Sequence, residues 1–254
     1  PSSLGHPLPS RGKGGSGMSN IVLVHGGWHG GWVWRAVEDL LRDMGHRVFS
    51  PTLTGLGERA HLVHADITPD LHVKDICGVL HFEDLRDVTL VGHSYGGFVI
   101  AGVASRMPDR VASLVYLDAF VPTASGQSAF SIGTPERAAE IRATMTDGYL
   151  VPPSGIERWA SDPGAQAWLA DRVTPHPIRC FSEGPTLTGA EAGIARKMHI
   201  ICARHRPSPF WSFHERYAQD PDWRTARLDC LHDAMVEMPE ETAALIDQMT
   251  RPAP

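Results

Sequence analysis

From residue 20 onward, short apolar runs alternate with stretches of helical period. "NIVLV" reads as a buried strand that runs into the glycines of "HGG". Val33, Val37, Leu40, Leu41 and Met44 then recur at helical spacing, and Gly45 follows as a left-handed terminator. "HRVFSP" is the next strand, "LHVKDICGVLH" a helix, "DVTLVGHS" a strand and "YGGFVIAGVASRM" a helix stopped by Pro108. "RVASLVYLDAF" and "KMHIICA" read as strands, "SPFWSFHERYA" as a helix and "WRTARLDC" as a strand. "PEETAALIDQM" is a closing helix with acidic residues in its first turn. Strands that alternate with helices demand a mostly parallel sheet with helices on both faces, an α/β architecture.

The rhythm breaks between residues 122 and 196, where Pro, Gly, Ser and Thr are frequent. The expected organisation is a core of 18–121 and 197–254, with 122–196 inserted over one end of the sheet. Residues 1–17, "PSSLGHPLPSRGKGGSG", lack the apolar stretch of a secretory signal and read as a vector-derived or disordered segment. The 254 residues carry a net charge of −6, and no Lys/Arg stripe appears, which argues against a nucleic-acid partner. No apolar run is long enough to span a bilayer, so no membrane partner is expected. Four cysteines without a CxxC pair read as buried free thiols, which fits a cytoplasmic location.

"GHSYG", residues 92–96, is G-x-S-x-G between a predicted strand and a predicted helix, the context of a nucleophile elbow. The turn forces Ser94 into a strained backbone conformation, and Gly92 and Gly96 lack the Cβ atoms that would collide beside it. The hydroxyl then stands at a helix N-terminus, where N–H groups favour a developing anion. "HGGWHGGW", residues 25–32, follows the first strand and offers backbone donors. Gly27 and Tyr95 are the expected oxyanion donors. Of 14 histidines, His232 in "LDCLHDAM" follows the last strand at the ligand-binding edge of the sheet and is the expected base. His25, His93, His199, His205 and His214 read as loop or surface residues, with His25 and His93 flanking the site.

With these residues in place, the chain resembles the α/β-hydrolase superfamily. It is most similar to the branch of plant salicylate methylesterases and hydroxynitrile lyases. "VLVHGGWHGGWVW", "GHRVFSPTLTGLGER", "VTLVGHSYGG" and "CLHDAM" carry the resemblance. It implies an α/β-hydrolase fold with an inserted cap and no metal or organic cofactor. The lyases of this branch carry threonine where this chain has Gly26, and lysine directly after the catalytic histidine where it has Asp233. Those differences favour the esterases.

The resemblance also implies an acid after the strand "KMHIICA", yet the chain reads "CARHRPSP" there, with Arg204, His205 and Arg206. Orienting an imidazolium needs an anion. Asp118, at the end of "LVYLD", is the expected replacement, and Asp229 is a weaker candidate. The expected function is a serine hydrolase that cleaves a small, uncharged carboxylic ester through an acyl-enzyme. Ser94 is the nucleophile, His232 the base and Asp118 the acid. His25, Trp28, Trp159, Trp168, Phe210 and Trp211 are candidates for an apolar substrate pocket. A small-molecule ester is the expected partner, and a homodimer is left open. The rivals are a hydroxynitrile lyase, a hydrolase of amides, lactones or thioesters, and a non-enzymatic ligand-binding protein with a decayed triad.

Overall fold

Along β1 (Asn20–Val24) the side chains divide between two cores. Ile21 and Leu23 enter one apolar cluster, while Val22 and Val24 enter the other. That alternation is the strand period of two, and it requires helices on both faces. A computed structural model describes residues 17–251. Of the segment 1–17, residues 1–16 lie outside the described residues.

The chain leaves β1 through a short 3-10 turn (Gly31–Trp34) into α1 (Arg35–Asp43) and β2 (Arg47–Phe49). Between these two, Gly45 takes a φ of +91°, and the His46 N–H closes onto the Leu41 carbonyl. A residue with a Cβ is disfavoured in that conformation, so the predicted terminator is also the observed one. Then come α2 (Pro69–Phe82), β3 (Val88–His93), α3 (Gly96–Arg106) and β4 (Val111–Leu117). The Thr68 side chain caps α2 by accepting from the Leu71 N–H, and Pro69 occupies the first turn, where no donor is needed.

Residues 122–196 are more regular than their composition suggests. They contain α4 (Ala129–Ile132), α5 (Pro135–Ala143), β5 (Leu150–Val151), α6 (Pro163–Ala170), β6 (His176–Pro177) and α7 (Arg179–Ser182). Strands β5 and β6 pair antiparallel. These elements are too short to show a clear period, but their starts are marked by side-chain caps at Ser128, Thr134 and Asp162. The core resumes with β7 (Arg196–Cys202), α8 (Phe210–Tyr217), β8 (Trp223–Leu228), α9 (Ala234–Glu237) and α10 (Pro239–Gln248).

Among the described residues, six strands form one sheet in the order β2-β1-β3-β4-β7-β8, and every pairing is parallel. Helices α1 and α10 pack together on one face, and α2 and α3 pack together on the other. All six strands point the same way, so their C-terminal ends share one edge. The chain runs outward from β1 to β2 and then returns to β3. The crevice between β1 and β3 is therefore the topological switch point, where open parallel sheets bind ligands. Among the described residues no helix is long and apolar enough to cross a membrane, and all four cysteines are free.

Candidate active site

Ser94 ends β3 with a φ of +52°, a strained conformation for a residue with a side chain. Three close approaches hold it there. A Cβ on Gly92 would lie 2.6 Å from the Gly96 carbonyl oxygen, and one on Gly96 would lie 2.6 Å from that of Val24. One on Gly97 would lie 2.0 Å from the Phe120 carbonyl oxygen, a constraint the five-residue motif does not include. The Ser94 N–H donates to the Leu117 carbonyl, and the Ser94 carbonyl accepts from the N–H groups of Gly97 and Phe120. The elbow is thus bolted to the end of the neighbouring strand β4.

Asp118 follows β4 directly, also at positive φ (+42°), and its carboxylate is fully buried. Oδ1 accepts from the Cys202 N–H at 3.2 Å. Oδ2 accepts from two imidazoles at once, Nδ1 of His232 and Nδ1 of His205, each at 2.6 Å. Burial alone would raise the pKa of this carboxyl. The N–H donors of His205 and His232 outweigh that effect and hold it down at about 2, so it is an anion at neutral pH. The ring of His232 lies between neighbours: Phe210 stacks on it at 5.6 Å, and His205 and His93 lie 4.4 Å away. Its carbonyl accepts from His93 Nε2–H at 3.1 Å. His93 immediately precedes Ser94, so this bond ties the loop of His232 to the elbow.

The loop after β1 is held by histidines. The Leu53 N–H donates to His25 Nε2 at 3.0 Å, so His25 must carry its proton on Nδ1, which donates to the Gly26 carbonyl at 2.8 Å. Burial keeps this ring neutral, with its pKa lowered to about 3. The next peptide is pinned at both ends. The Gly27 carbonyl accepts from His29 Nδ1–H at 2.6 Å, and the Trp28 N–H donates to His176 Nδ1 at 3.1 Å. Among the described residues, no acceptor is bonded to the N–H of Gly27 or of Tyr95. Two backbone donors are therefore left for a ligand.

Gly26 and Gly27 differ in what they tolerate. A Cβ on Gly26 would lie 2.7 Å from His93 Nδ1 and 3.0 Å from Ser94 Cβ, and His93 cannot swing away without breaking its bond to the His232 carbonyl. A Cβ on Gly27 meets only Phe181 and His176, at 3.5 Å or more. Gly26→Ala is therefore expected to cost about 1–3 kcal/mol of stability by overpacking, while Gly27→Ala stays within about 0.5 kcal/mol. Urea denaturation of the two variants side by side measures the difference.

Of the expected pocket residues, Trp28, Trp159 and Phe210 gather near this constellation. Trp28, at a φ of +66°, packs against Trp159 and Phe181, and its Nε1–H donates to the Val151 carbonyl. The other three are engaged elsewhere. His25 is fully buried with both nitrogens bonded, and so it braces the loop. Trp168 packs edge-on against Trp32, with the Arg172 guanidinium over it. Trp211 lies under Arg206 and Arg227 and donates to the His205 carbonyl.

Of the histidines expected in loops or at the surface, His25 and His205 do lie in loops, but His93, His199 and His214 sit in regular elements, and all five are buried. His93 closes β3, His199 is on β7 and His214 is on α8. Sequence reasoning gave His205 and His29 no role in the site. His205 occupies the position after β7 where an acid was sought, and a histidine in place of an expected carboxylate was the available signal.

Among the described residues, three groups bring potential metal-ligating atoms within 4.8 Å of one another: His72, His176 and Cys180; His93, His232 and Asp233; and Asp118, His205 and His232. Their chemistry fits a metal poorly. Both nitrogens of His72 are bonded, to the Tyr95 hydroxyl and the Thr54 carbonyl, and burial pushes the Cys180 thiol up to about 12. In the second group His93 Nε2–H donates to the His232 carbonyl and Asp233 Oδ2 accepts from His29, and in the third the two Nδ1 protons already point at the carboxylate.

The family description for the alpha/beta hydrolase family matches residues 21–245, nearly the whole described chain. The chain belongs to the alpha/beta hydrolase family. It is 39% identical over 236 residues to the carbendazim hydrolyzing esterase of Nocardioides sp. (strain SG-4G), covering 89% of this chain and 97% of that protein. It is 34% identical over 207 residues to methylesterase 9 of Arabidopsis thaliana, covering 74% and 81%. Among solved structures, an extracellular alpha/beta-hydrolase from a Paenibacillus species superposes with a TM-score of 0.79 at 21% identity, over 92% of this chain and 100% of that one. In this alpha/beta hydrolase, the carboxylate that meets His232 comes from the end of β4, and the loop after β7 supplies His205 to the same oxygen atom.

Proposed function

We propose that this chain is a serine-type carboxylic ester hydrolase that works through an acyl-enzyme. The observation that carries this reading is the placement of three features at the C-terminal ends of the parallel strands. Ser94 stands on a strained elbow, His232 is bonded through Nδ1 to an ionised, buried Asp118, and the N–H groups of Gly27 and Tyr95 are unengaged. Ser94 attacks the ester carbonyl and His232 Nε2 takes its proton. The oxyanion forms against the Gly27 and Tyr95 N–H groups. His232 then protonates the departing alcohol and activates water for deacylation, and Asp118 balances the imidazolium formed in each step. Residues 122–196 act as a cap, and Trp28, Trp159 and Phe210 face the substrate with apolar surface.

The class of substrate is a small, uncharged ester. A methylesterase and an esterase named for hydrolysing carbendazim are the relatives that support it. A cyanohydrin-cleaving activity is disfavoured because Asp233, a buried carboxylate next to His232, supplies no cation to hold cyanide. A decayed triad loses its one argument once a carboxylate other than that of the usual strand meets His232. The test is a fluorophosphonate probe. It is expected to label Ser94 stoichiometrically, with the adduct located by peptide mass spectrometry. A serine that stays unlabelled while the protein is folded would overturn the reading.

A further inference from the structure

His29 has a role that neither the elbow nor the Asp118–His232 pair includes. Its ring is 2% exposed. Nδ1 lies 2.6 Å from the Gly27 carbonyl oxygen and Nε2 lies 3.0 Å from Asp233 Oδ2. A carbonyl has no proton to give and neither does a carboxylate, so the ring must donate from both nitrogens, as an imidazolium. The partner charge is Asp233, which directly follows His232 and is completely buried. Burial alone would lower the His29 pKa. Asp233 and the Gly27 carbonyl reverse that effect and raise it, while the Asp233 pKa is held below its ordinary value, chiefly by His29 against the pull of burial.

This ion pair joins two loops 204 residues apart in sequence. One end fixes the Gly27–Trp28 peptide, which shares the Gly27 Cα with the peptide that carries the Gly27 N–H, itself held by His25 at the Gly26 carbonyl. The other end fixes the residue after His232. Trp32 and Trp159 pack on the His29 ring, and His93 meets it edge-on, which shields the pair from water. Coulombic attraction is strong at such a site.

We propose that His29 and Asp233 are positioning residues, a buried ion pair that holds the oxyanion loop in register with the loop of His232 and so sets the affinity for the transition state. This rests on the esterase reading, with the Gly27 N–H as an oxyanion donor. A donor displaced by a fraction of its bond length still admits the flat ester but no longer meets the tetrahedral oxyanion. The effect should therefore fall on kcat and leave KM nearly unchanged.

The test compares His29→Phe, which keeps a ring against Trp159 but removes both donors, with Asp233→Asn, which keeps the shape and removes the charge. Three quantities are read: kcat and KM on p-nitrophenyl acetate, the Kd of a trifluoromethyl ketone that forms a tetrahedral adduct, and the Kd of the matching non-electrophilic methyl ether. Each variant is expected to lose about 10²-fold in kcat. Ketone affinity should fall by a similar factor, with KM and ether affinity within about threefold of wild type. His29→Asn, whose amide can reach the Gly27 carbonyl from the Nδ1 position, should recover part of the kcat. Equal losses of ketone and ether affinity, or a kcat within about threefold of wild type in folded protein, would overturn the proposal. If His29→Phe does not fold, Asp233→Asn carries the same comparison. Wild-type protein that fails to react with the fluorophosphonate would instead sink the esterase reading, independently of His29.

Discussion

Ser94→Ala should reduce turnover of p-nitrophenyl acetate by about 10⁶-fold, the scale on which loss of a nucleophile is felt when it acts as a unit with its base. The side chain is partly exposed at the elbow. The strain at φ +52° belongs to the backbone, which is held by the bonds to Leu117, Gly97 and Phe120. Alanine can occupy that conformation at the cost serine already bears, so the variant should fold with an unchanged melting temperature. A stopped-flow trace should also lose the burst of p-nitrophenol that marks acylation. Folded Ser94→Ala protein with wild-type turnover would eliminate the covalent mechanism.

Asp118→Asn should lower kcat by about 10⁴-fold, because an amide can present a donor to His232 Nδ1 and trap the wrong tautomer. The same substitution removes an electrostatic contribution to folding. The Asp118 pKa is about 2 in the folded chain against an ordinary value of 3.8. Because the folded value is the lower one, the stabilisation is fully present above the ordinary value and is lost as pH falls from about 4 toward 2. That gap is worth about 2 kcal/mol at neutral pH. Urea midpoints should therefore fall less steeply between pH 4 and pH 2 in Asp118→Asn than in the wild type. Parallel pH profiles for the two proteins would contradict the buried, doubly bonded carboxylate. His205 sharpens this prediction, since one Oδ2 serves both rings and removing the anion leaves two imidazoles facing an amide.

The alternation of strands and helices, the glycine after α1 and the elbow at residues 92–96 were legible because each is a local matter. Side-chain period and the steric freedom of glycine act over a few residues, and the α/β sheet follows from them. Apart from His232, the histidines were not legible. Their burial depends on which strand or helix their neighbours pack against, so His199, His205 and His214 look like surface residues when read alone. Gly26 and Gly27 are equivalent as letters. They part only when His93 and Ser94 are brought within 3 Å of one of them.

The sequence by itself determined the sheet, the elbow and the chain order of Ser94, Asp118 and His232, because strand period and turn sterics are encoded residue by residue. Tertiary structure alone decided that the Asp118 oxygen bonded to His232 also serves His205, and that His29 meets Asp233. A hydrogen bond acts over about 3 Å, and residues separated by 114 or 204 positions come that close only once the strand ends share one edge.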